Sequence, residues 1–265
     1  MKKFLCSVVA VVVAFSVAGS SYASPSREVS VNSNDQVETN TINLMTNNNE
    51  PLGTLITKVT YHREQKNDRV VVTTTTDKHY ELLDQFKRDP EKREAFKDTS
   101  DTFTIEVTND DKFYVDGEQI PDSILNQQVN PNDGVSLMSD SGGVPSLGHY
   151  YDAGDYTHYY FASYSGMTMG GSPDGSHVAK NTTRSNPYFS QAANTLDILY
   201  GDHQSYLWYK ASLSAAIVAF PFTLASVIGA IADGGAAGLT AAQLYSYYRD
   251  CNSDLSKAYG LISQM

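Results

Sequence analysis

The chain carries the side chains that most often do chemistry, but their spacing matches no catalytic or metal-binding motif. None of its histidines has an H-E-x-x-H or similar zinc spacing; they are His62, His79, His149, His158, His177 and His203. A G-x-S-x-G element and a Gly-rich phosphate loop are missing from the sequence. Cys251 with a distant histidine has no local pattern of a thiol dyad, and Asp152 with Asp155 is not a complete calcium loop. The sequence therefore predicts no enzyme, no cofactor and no metal site.

Charge and cysteine content limit the partners. Lys+Arg number 19 and Asp+Glu 30, which gives a net charge of −11. This balance argues against a nucleic-acid partner and against simple electrostatic attraction to anionic lipids. Any action on a membrane would have to come from apolar residues. Cys251 would be alone once Cys6 leaves with an export signal, so pairing between chains, reactivity and simple burial all stay open.

The stretch with the strongest physical signal is 211–232, ASLSAAIVAFPFTLASVIGAIA, which holds no charged residue. Roughly 20 such residues suffice to cross a bilayer as a helix. Pro221, near its middle, predicts a kink or a fresh helix start. Asp233-Gly234-Gly235 forms a turn, and a softer helical run, 236–248, follows it. We therefore expect an apolar α-helical hairpin over 211–248.

Small residues recur at every fourth position of this hairpin and would let a second helix approach closely. The predicted membrane-inserting and helix-packing residues are Pro221, Ser226, Gly229, Ala230, Gly234, Gly235, Gly238 and Ala242. The same pattern suits a buried hairpin in a soluble domain. The sequence leaves membrane insertion and a soluble core both open.

Aromatic residues flank the hairpin on both sides. The predicted interfacial aromatics are Trp208, Tyr209, Tyr245, Tyr247 and Tyr248. Such flanks are typical of the belt that tyrosine and tryptophan form at a membrane surface. Tyrosines that pack the edge of a soluble domain are the alternative.

The N-terminal part of the chain has the pattern of an exported protein. Residues 1–23 have a positive start, an apolar centre and the small residues Ser21-Tyr22-Ala23, which predicts a signal peptide cut before Ser24. We expect the mature protein to be secreted. Residues 24–50 are rich in Asn, Ser and Thr and are predicted to be a disordered leader.

Residues 51–125 are predicted to form a small α+β domain. Two β-branched runs, 55–61 and 69–76, indicate a hairpin. A helix is expected from about Lys78, and Asp89 is expected to cap a second helix that begins at Pro90. A further hairpin follows around an Asp-Gly turn. The resulting order is ββαββ.

A Gly-, Asn-, Asp-, Ser- and Pro-rich segment, 126–147, is predicted to be a linker. Composition then changes, because 14 of the 18 tyrosines follow residue 149. We expect 148–265 to be a Tyr-rich, mainly helical C-terminal domain that ends with the apolar hairpin. The predicted fold class is therefore α+β.

The order of these segments resembles that of large secreted bacteriocins made as pre-proproteins. The resemblance rests on the signal MKKFLCSVVAVVVAFSVAGSSYA, the charged pro-like region and the C-terminal run SAAIVAFPFTLASVIGAIADGGAAG. The geobacillin-type family is the group it is most similar to, and no residue matches a diagnostic motif.

This resemblance implies an antibacterial protein that acts on the envelope of related Gram-positive cells. We expect the apolar hairpin to insert into the target-cell membrane and permeabilise it, and its small residues to pack the two helices or several copies. A cognate immunity protein is a further expected partner. The alternative is an exported, non-enzymatic structural or binding protein with a soluble helical C-terminal domain.

Overall fold

The computed structural model describes residues 26–32, 35–125, 147–216 and 223–265. The predicted signal 1–23, most of the predicted linker and Pro221 lie outside these ranges. The described elements, in chain order, are β1 (Ser26–Asn32), β2 (Asp35–Met45), β3 (Pro51–Gln65), β4 (Arg69–Leu82), α1 (Asp84–Lys87), α2 (Pro90–Ala95), β5 (Thr99–Thr108), β6 (Phe113–Val115), β7 (Glu118–Gln119), α3 (Asp122–Leu125), β8 (Gly148–Asp152), β9 (His158–Met167), β10 (Pro173–Thr183), α4 (Phe189–Ala216), α5 (Leu224–Asp233) and α6 (Gly235–Ser263).

The first seven strands form one antiparallel sheet in which sequence neighbours are also spatial neighbours. Its centre is the long β3–β4 hairpin, in which Val59 pairs with Thr76 and Tyr61 with Thr74. The β-branched residues of these strands suit a pleated surface. Alternate residues of β4, such as Val72 and Thr74, are buried, so one face of the sheet covers a core.

The predicted disordered leader, 24–50, instead carries β1 and β2. β2 pairs along its whole length with β3, so its backbone groups are satisfied by the sheet despite its polar composition. The sheet therefore contains more strands than the small ββαββ domain expected from the sequence. The expected α+β class holds, but the prediction of disorder for 35–45 was wrong.

The helix predicted from about Lys78 was also wrong, because β4 continues to Leu82 and pairs with both β3 and β5. Only the short α1 and α2 separate β4 from β5. The predicted cap of the second helix is confirmed: the Asp89 carboxylate accepts hydrogen bonds from the backbone N–H groups of Glu91 and Lys92.

The Tyr-rich region was predicted to be mainly helical, but its first part is a three-stranded antiparallel sheet in the order β10-β9-β8. Its alternating aromatic residues favour strands, as aromatic and β-branched residues generally do. Tyr159 and Phe161 point to one face and are buried, whereas Tyr160 between them is half-buried on the other.

The helices form a layer between the two sheets. α4 and α6 pack against each other, with β2 and β3 on one side and β8, β9 and β10 on the other. Every residue from Gly238 to Tyr247 is buried as a result. A helix covered on two sides has no wide polar face, which explains the weak amphipathic pattern of the sequence.

The predicted hairpin 211–248 differs from the observed helices in its boundaries. Residues 211–216 are the end of α4, and α5 begins at Leu224 behind a capping box of Thr223 and Ser226. α6 continues to Ser263, because buried residues follow at helical spacing: Cys251, Leu255, Ala258 and Ile262. No helix within the described ranges is both long enough and apolar enough to cross a membrane.

The two parts of the chain share one hydrophobic core. This core joins Val59, Phe103 and Ile105 of the large sheet with Phe161 of the small sheet and Leu244 of α6. A smaller cluster under α1 and α2 adds Leu44, Leu52, Leu55, Leu82 and Phe96. The segments 51–125 and 148–265 therefore contribute side chains to the same core.

Candidate functional site

The predicted ridge of small residues lies where α5 and α6 meet. A Cβ atom at Gly238 would be 2.9 Å from the Ala230 carbonyl oxygen and 3.4 Å from the Tyr61 hydroxyl. No side chain larger than hydrogen fits at this distance without movement of the backbone. The structure therefore brings together Ala230 and Gly238, two of the predicted packing residues.

The bend between the helices uses the predicted glycines. Gly234 and Gly235 have φ values of 82° and 69°, which L-amino acids with side chains rarely adopt. The end of α5 beside this bend is capped by β3. Tyr61 Oη donates a hydrogen bond of 2.5 Å to the Ile231 carbonyl, and Arg63 Nε donates one of 2.7 Å to the Ala232 carbonyl. A cationic donor here also suits the negative end of the helix dipole.

The remaining predicted packing residues have separate surroundings. Ser226 belongs to the N-terminal capping box of α5, where its backbone N–H donates to Thr223 Oγ1. Gly229 has open space where a Cβ atom would stand. Ala242 is fully buried in α6. These residues do not form one continuous ridge, because the bend at Gly234 and Gly235 divides it.

The five predicted interfacial aromatics lie in or against the core. Tyr209 and Tyr247 are almost completely buried and stack with their ring centroids 5.7 Å apart. Tyr245 is buried against Phe103, while Trp208 and Tyr248 are half-buried. In the folded state these residues join the helices to each other and to the large sheet, and their role at a membrane surface stays a prediction.

The buried face of the large sheet is polar along its middle. We call this surface the polar seam; its residues on β2, β3 and β4 are Glu38, Asn40, Thr57, Thr74, Thr76 and Lys78, all buried. Tyr209 Oη of α4 donates to Glu38 Oε1 at 3.0 Å, and Tyr247 Oη of α6 to Thr57 Oγ1 at 3.0 Å.

An ion cluster lies at one end of the polar seam. Lys78 Nζ is 2.8 Å from both carboxylate oxygens of Asp202 on α4 and 2.7 Å from Asp250 on α6. Burial opposes the charge on this amine, but the two carboxylates outweigh it and hold the pKa of Lys78 well above its usual value. Burial also raises the pKa values of Asp202 and of neighbouring Asp254. One lysine thus ties both long helices to β4.

Two polar side chains of the seam, and one of α6, are not paired within the described ranges. The carboxamides of Asn40 and Gln243 and the hydroxyl of Thr74 are buried without a hydrogen-bond partner among the described residues. Each such group costs about 1–3 kcal/mol relative to hydration. The contact between the large sheet and the helices therefore contributes less to the free energy of folding than a purely apolar contact of the same area would.

A second buried carboxyl joins α4 to three other elements. Asp197 Oδ1 accepts hydrogen bonds from the Asn47 backbone N–H at 2.8 Å and from Tyr150 Oη at 2.9 Å. Lys92 Nζ lies 3.5 Å from its other oxygen. Burial raises the pKa of Asp197 to about 6, although these partners oppose the shift.

The polar seam and its ion cluster were not predicted from the sequence. The sequence did indicate a buried position for Lys78. This residue lies an even number of positions from Val72, Thr74 and Thr76 in the same strand, so it falls on the same face of the sheet. A buried position was likewise indicated for Asp202, because closely spaced apolar residues surround it in the same helix. Pairing between them joins positions 124 residues apart, which no local pattern reveals.

The described residues contain no group of three or more His, Cys, Asp or Glu side chains that could hold a metal ion. Cys251 is buried, and burial raises the pKa of its thiol well above the usual value. Asp152 Oδ1 accepts backbone N–H groups of Gly154, Asp155 and Tyr156, which makes it a loop-forming residue. Comparisons with protein-family models, with curated proteins and with solved structures give no match to this chain.

Proposed function

We propose that this protein is an exported antibacterial protein whose C-terminal part permeabilises target-cell membranes after it separates from the large sheet. In this proposal the sheet acts as a cover that keeps the apolar helices soluble until they reach the target. The resemblance to geobacillin-type bacteriocins, with a charged pro-like region before the apolar part, motivates the same division.

The observation that carries the proposal is the polar seam between the large sheet and the helices. The helices meet the cover through core residues such as Val59 and Phe103 and also through buried polar residues, of which Asn40 and Thr74 have side chains without a hydrogen-bond partner among the described residues. Hydration of such groups on opening offsets part of the cost of separation. A fully apolar interface would oppose this separation more strongly.

The opposite side of the helix layer is more apolar. Phe161 and Met167 of the small sheet belong to the same core as Leu196 and Leu255 of α4 and α6. We infer that the small sheet stays with α4, α5 and α6 and that the membrane-active unit is residues 147–265. Self-association of this unit and recognition by an immunity protein belong to the same proposal.

A reversible covalent lock across the seam tests the proposal. Thr76 Oγ1 and Ser246 Oγ lie 2.9 Å apart, so the pair Thr76→Cys/Ser246→Cys should form a disulfide between β4 and α6. We expect the oxidised protein to lose killing of Gram-positive indicator cells and dye release from bacterial-lipid vesicles, and a reductant to restore both. The single variant Thr76→Cys serves as the control and should remain active.

The alternative is an exported, non-enzymatic binding protein, and burial of the predicted interfacial aromatics in the core favours it. In that case the protein ignores vesicles and cells whether the lock is open or closed. Equal activity of the locked and reduced forms would contradict the separation of sheet and helices. Absence of activity from every form would move the assignment to the binding protein.

A further inference from the structure

The ion cluster of the polar seam holds an amine and a carboxyl group in contact, away from solvent. Lys78 Nζ lies 2.8 Å from both oxygens of Asp202, and the two side chains are only 7% and 2% exposed. Because the amine is equidistant from both oxygens, it also lies within roughly 3–3.5 Å of the Asp202 Cγ, the separation of reacting atoms in a near-attack geometry. An amine and a carboxyl group are the nucleophile and the electrophile of amide formation. The ionic contact is therefore also a starting geometry for a covalent bond.

A second carboxylate is placed to take a proton from the amine. Asp250 Oδ2 on α6 lies 2.7 Å from Lys78 Nζ, and the Asp250 side chain is 24% exposed. An ammonium group cannot attack a carbonyl carbon until it has lost a proton, and this contact supplies the acceptor. The partial exposure of Asp250 also connects the buried amine to bulk water. Asp250 is therefore the candidate general base.

A third carboxyl group is placed to donate a proton to the oxygen that must leave. Asp254, one helical turn after Asp250, donates a hydrogen bond to Asp202. Burial, followed by the Asp202 charge, raises the pKa of Asp254 well above its usual value. A hydrogen bond between two carboxyl groups requires a proton, and the raised pKa explains why Asp254 carries it. Asp254 is therefore the candidate general acid.

Two physical effects favour a bond in this cluster. A buried charged pair loses hydration that its mutual attraction only partly offsets, whereas a neutral amide avoids this cost. The fixed contact also makes the reaction intramolecular, and well-oriented intramolecular reactions reach effective concentrations of about 10⁵–10⁸ M. Burial opposes the charge on Lys78, but the carboxylates outweigh it and raise the pKa of its amine, so the reactive neutral form is rare. We therefore expect a slow reaction that follows folding.

We propose that Lys78 and Asp202 condense to an isopeptide bond between β4 and α4. Lys78 Nζ attacks the Asp202 Cγ, Asp250 accepts a proton from the amine, and Asp254 protonates the departing oxygen. One C–N bond forms and one C–O bond breaks. The departing oxygen leaves as water, whose two protons come from the ammonium group by way of the two carboxyl groups. The step needs no oxidant, reductant or other reactant, and both charges of the pair disappear.

The bond goes beyond the proposed membrane function and limits it in time. A bonded molecule holds α4 on β4 permanently, so the unit 147–265 can separate from the sheet only before condensation. A folded molecule that is not released early would remain closed. The bond is measured on the purified protein without cells or vesicles, so its failure and the failure of the membrane proposal are distinguishable.

The intact mass of the purified protein tests the bond. We would weigh freshly purified protein by mass spectrometry and repeat the measurement after a week at growth temperature. The expected result is a species lighter than the unmodified chain by one water molecule, in a fraction that rises with time. The bond joins positions 124 residues apart, so the reduced and denatured chain should also migrate faster on a gel.

Peptide mapping locates the change. Proteolysis and fragmentation should recover a branched peptide that joins Lys78 to Asp202. This peptide distinguishes the isopeptide bond from dehydration at an Asp-Gly sequence such as Asp116-Gly117, which also removes one water molecule. The map uses the unmodified protein, so it decides the question even where a variant of the cluster fails to fold.

Two variants separate catalysis from packing. Asp250→Asn and Asp254→Asn each keep Lys78 and Asp202, and each should slow bond formation by about a hundredfold or more, the usual size of general acid–base catalysis. Lys92→Met is the matched control, because it removes the lysine that lies 3.5 Å from buried Asp197. It should form the bond at the unmodified rate, and thermal melts would verify the folding of all three variants.

Three results would overturn the inference. The first is an intact mass that stays at the value of the unmodified chain throughout storage. The second is a branched peptide that joins Lys92 to Asp197 in place of Lys78 to Asp202. The third is a rate of bond formation that neither Asp250→Asn nor Asp254→Asn changes.

Discussion

Lys78 Nζ lies 2.8 Å from both oxygens of Asp202, and both side chains are almost completely buried between β4 and α4. Asp250 of α6 contacts the same amine at 2.7 Å. Three distant parts of the chain therefore meet at one charge. Removal of one member of such a group leaves the other members buried and uncompensated.

The first prediction concerns this ion cluster. Lys78→Met should lower the free energy of unfolding by about 3–5 kcal/mol, because the Asp202 carboxylate loses its cation in a buried site. Urea denaturation monitored by circular dichroism measures the change. Lys112→Met is the control, since the Lys112 ion pair is solvent-exposed and should contribute little. Equal stability of the two variants would show that Lys78 does not tie the helices to the sheet.

The second prediction concerns the contact between α5 and α6. Gly238→Ala should destabilise the protein by about 1–3 kcal/mol, because the new methyl group would stand 2.9 Å from a backbone oxygen. Gly260→Ala lies in the same helix with open space around it and should stabilise by about 0.5–1 kcal/mol. Thermal melts of the pair measure the difference. Stabilisation by both substitutions would refute the close approach of the two helices.

The sequence predicted those features that depend on neighbouring residues. The Asp89 cap, the Gly234-Gly235 bend and the β3–β4 hairpin follow from local preferences that the structure satisfies. The sequence also indicated the charge-free apolar stretch 211–232, whose described parts include the end of α4 and most of α5. These features give the mixed α+β class.

The features that were not predicted depend on distant partners. Residues 35–45 are mostly polar, and pairing with β1 on one side and β3 on the other makes them a strand. The helices appeared suited to a membrane because their apolar surface is continuous, but two sheets provide the same environment in water. The small sheet likewise requires the register of three strands, which the tyrosine spacing does not specify.

The third prediction concerns pH. Burial raises the pKa of Asp197 from 3.8 to about 6 in the folded protein, so the folded state binds this proton more tightly than the unfolded chain does. The stabilisation that Asp197 contributes is fully present below about pH 4 and is lost as the pH rises through about 6. Buried His203, whose pKa burial lowers to about 4, has the opposite effect over a similar range.

Asp197→Asn isolates the contribution of this carboxyl, because His203 is unchanged in the variant. Between pH 4 and 6 the free energy of unfolding of the variant should rise relative to that of the unmodified protein, by at most about 3 kcal/mol in total. Urea denaturation at four pH values measures both curves. Asp155→Asn is the control, since the His158 hydrogen bond holds the pKa of Asp155 below its usual range and its effect lies under pH 4. Parallel curves for Asp197→Asn and the unmodified protein would refute the assignment.

The last prediction uses the buried thiol to follow the helices. Cys251 is fully buried in α6 beside the ion cluster, and burial followed by the Asp202 and Asp254 charges raises the pKa of its thiol. The thiolate is the reactive form, so the folded protein should react with Ellman's reagent about a thousandfold more slowly than the unfolded chain. If the helices leave the large sheet at a membrane, bacterial-lipid vesicles should accelerate the reaction. The locked Thr76→Cys/Ser246→Cys protein, after oxidation, should show no acceleration at Cys251. A reaction rate that vesicles leave unchanged in the unlocked protein would mean that the helix layer stays closed and acts as the permanent core.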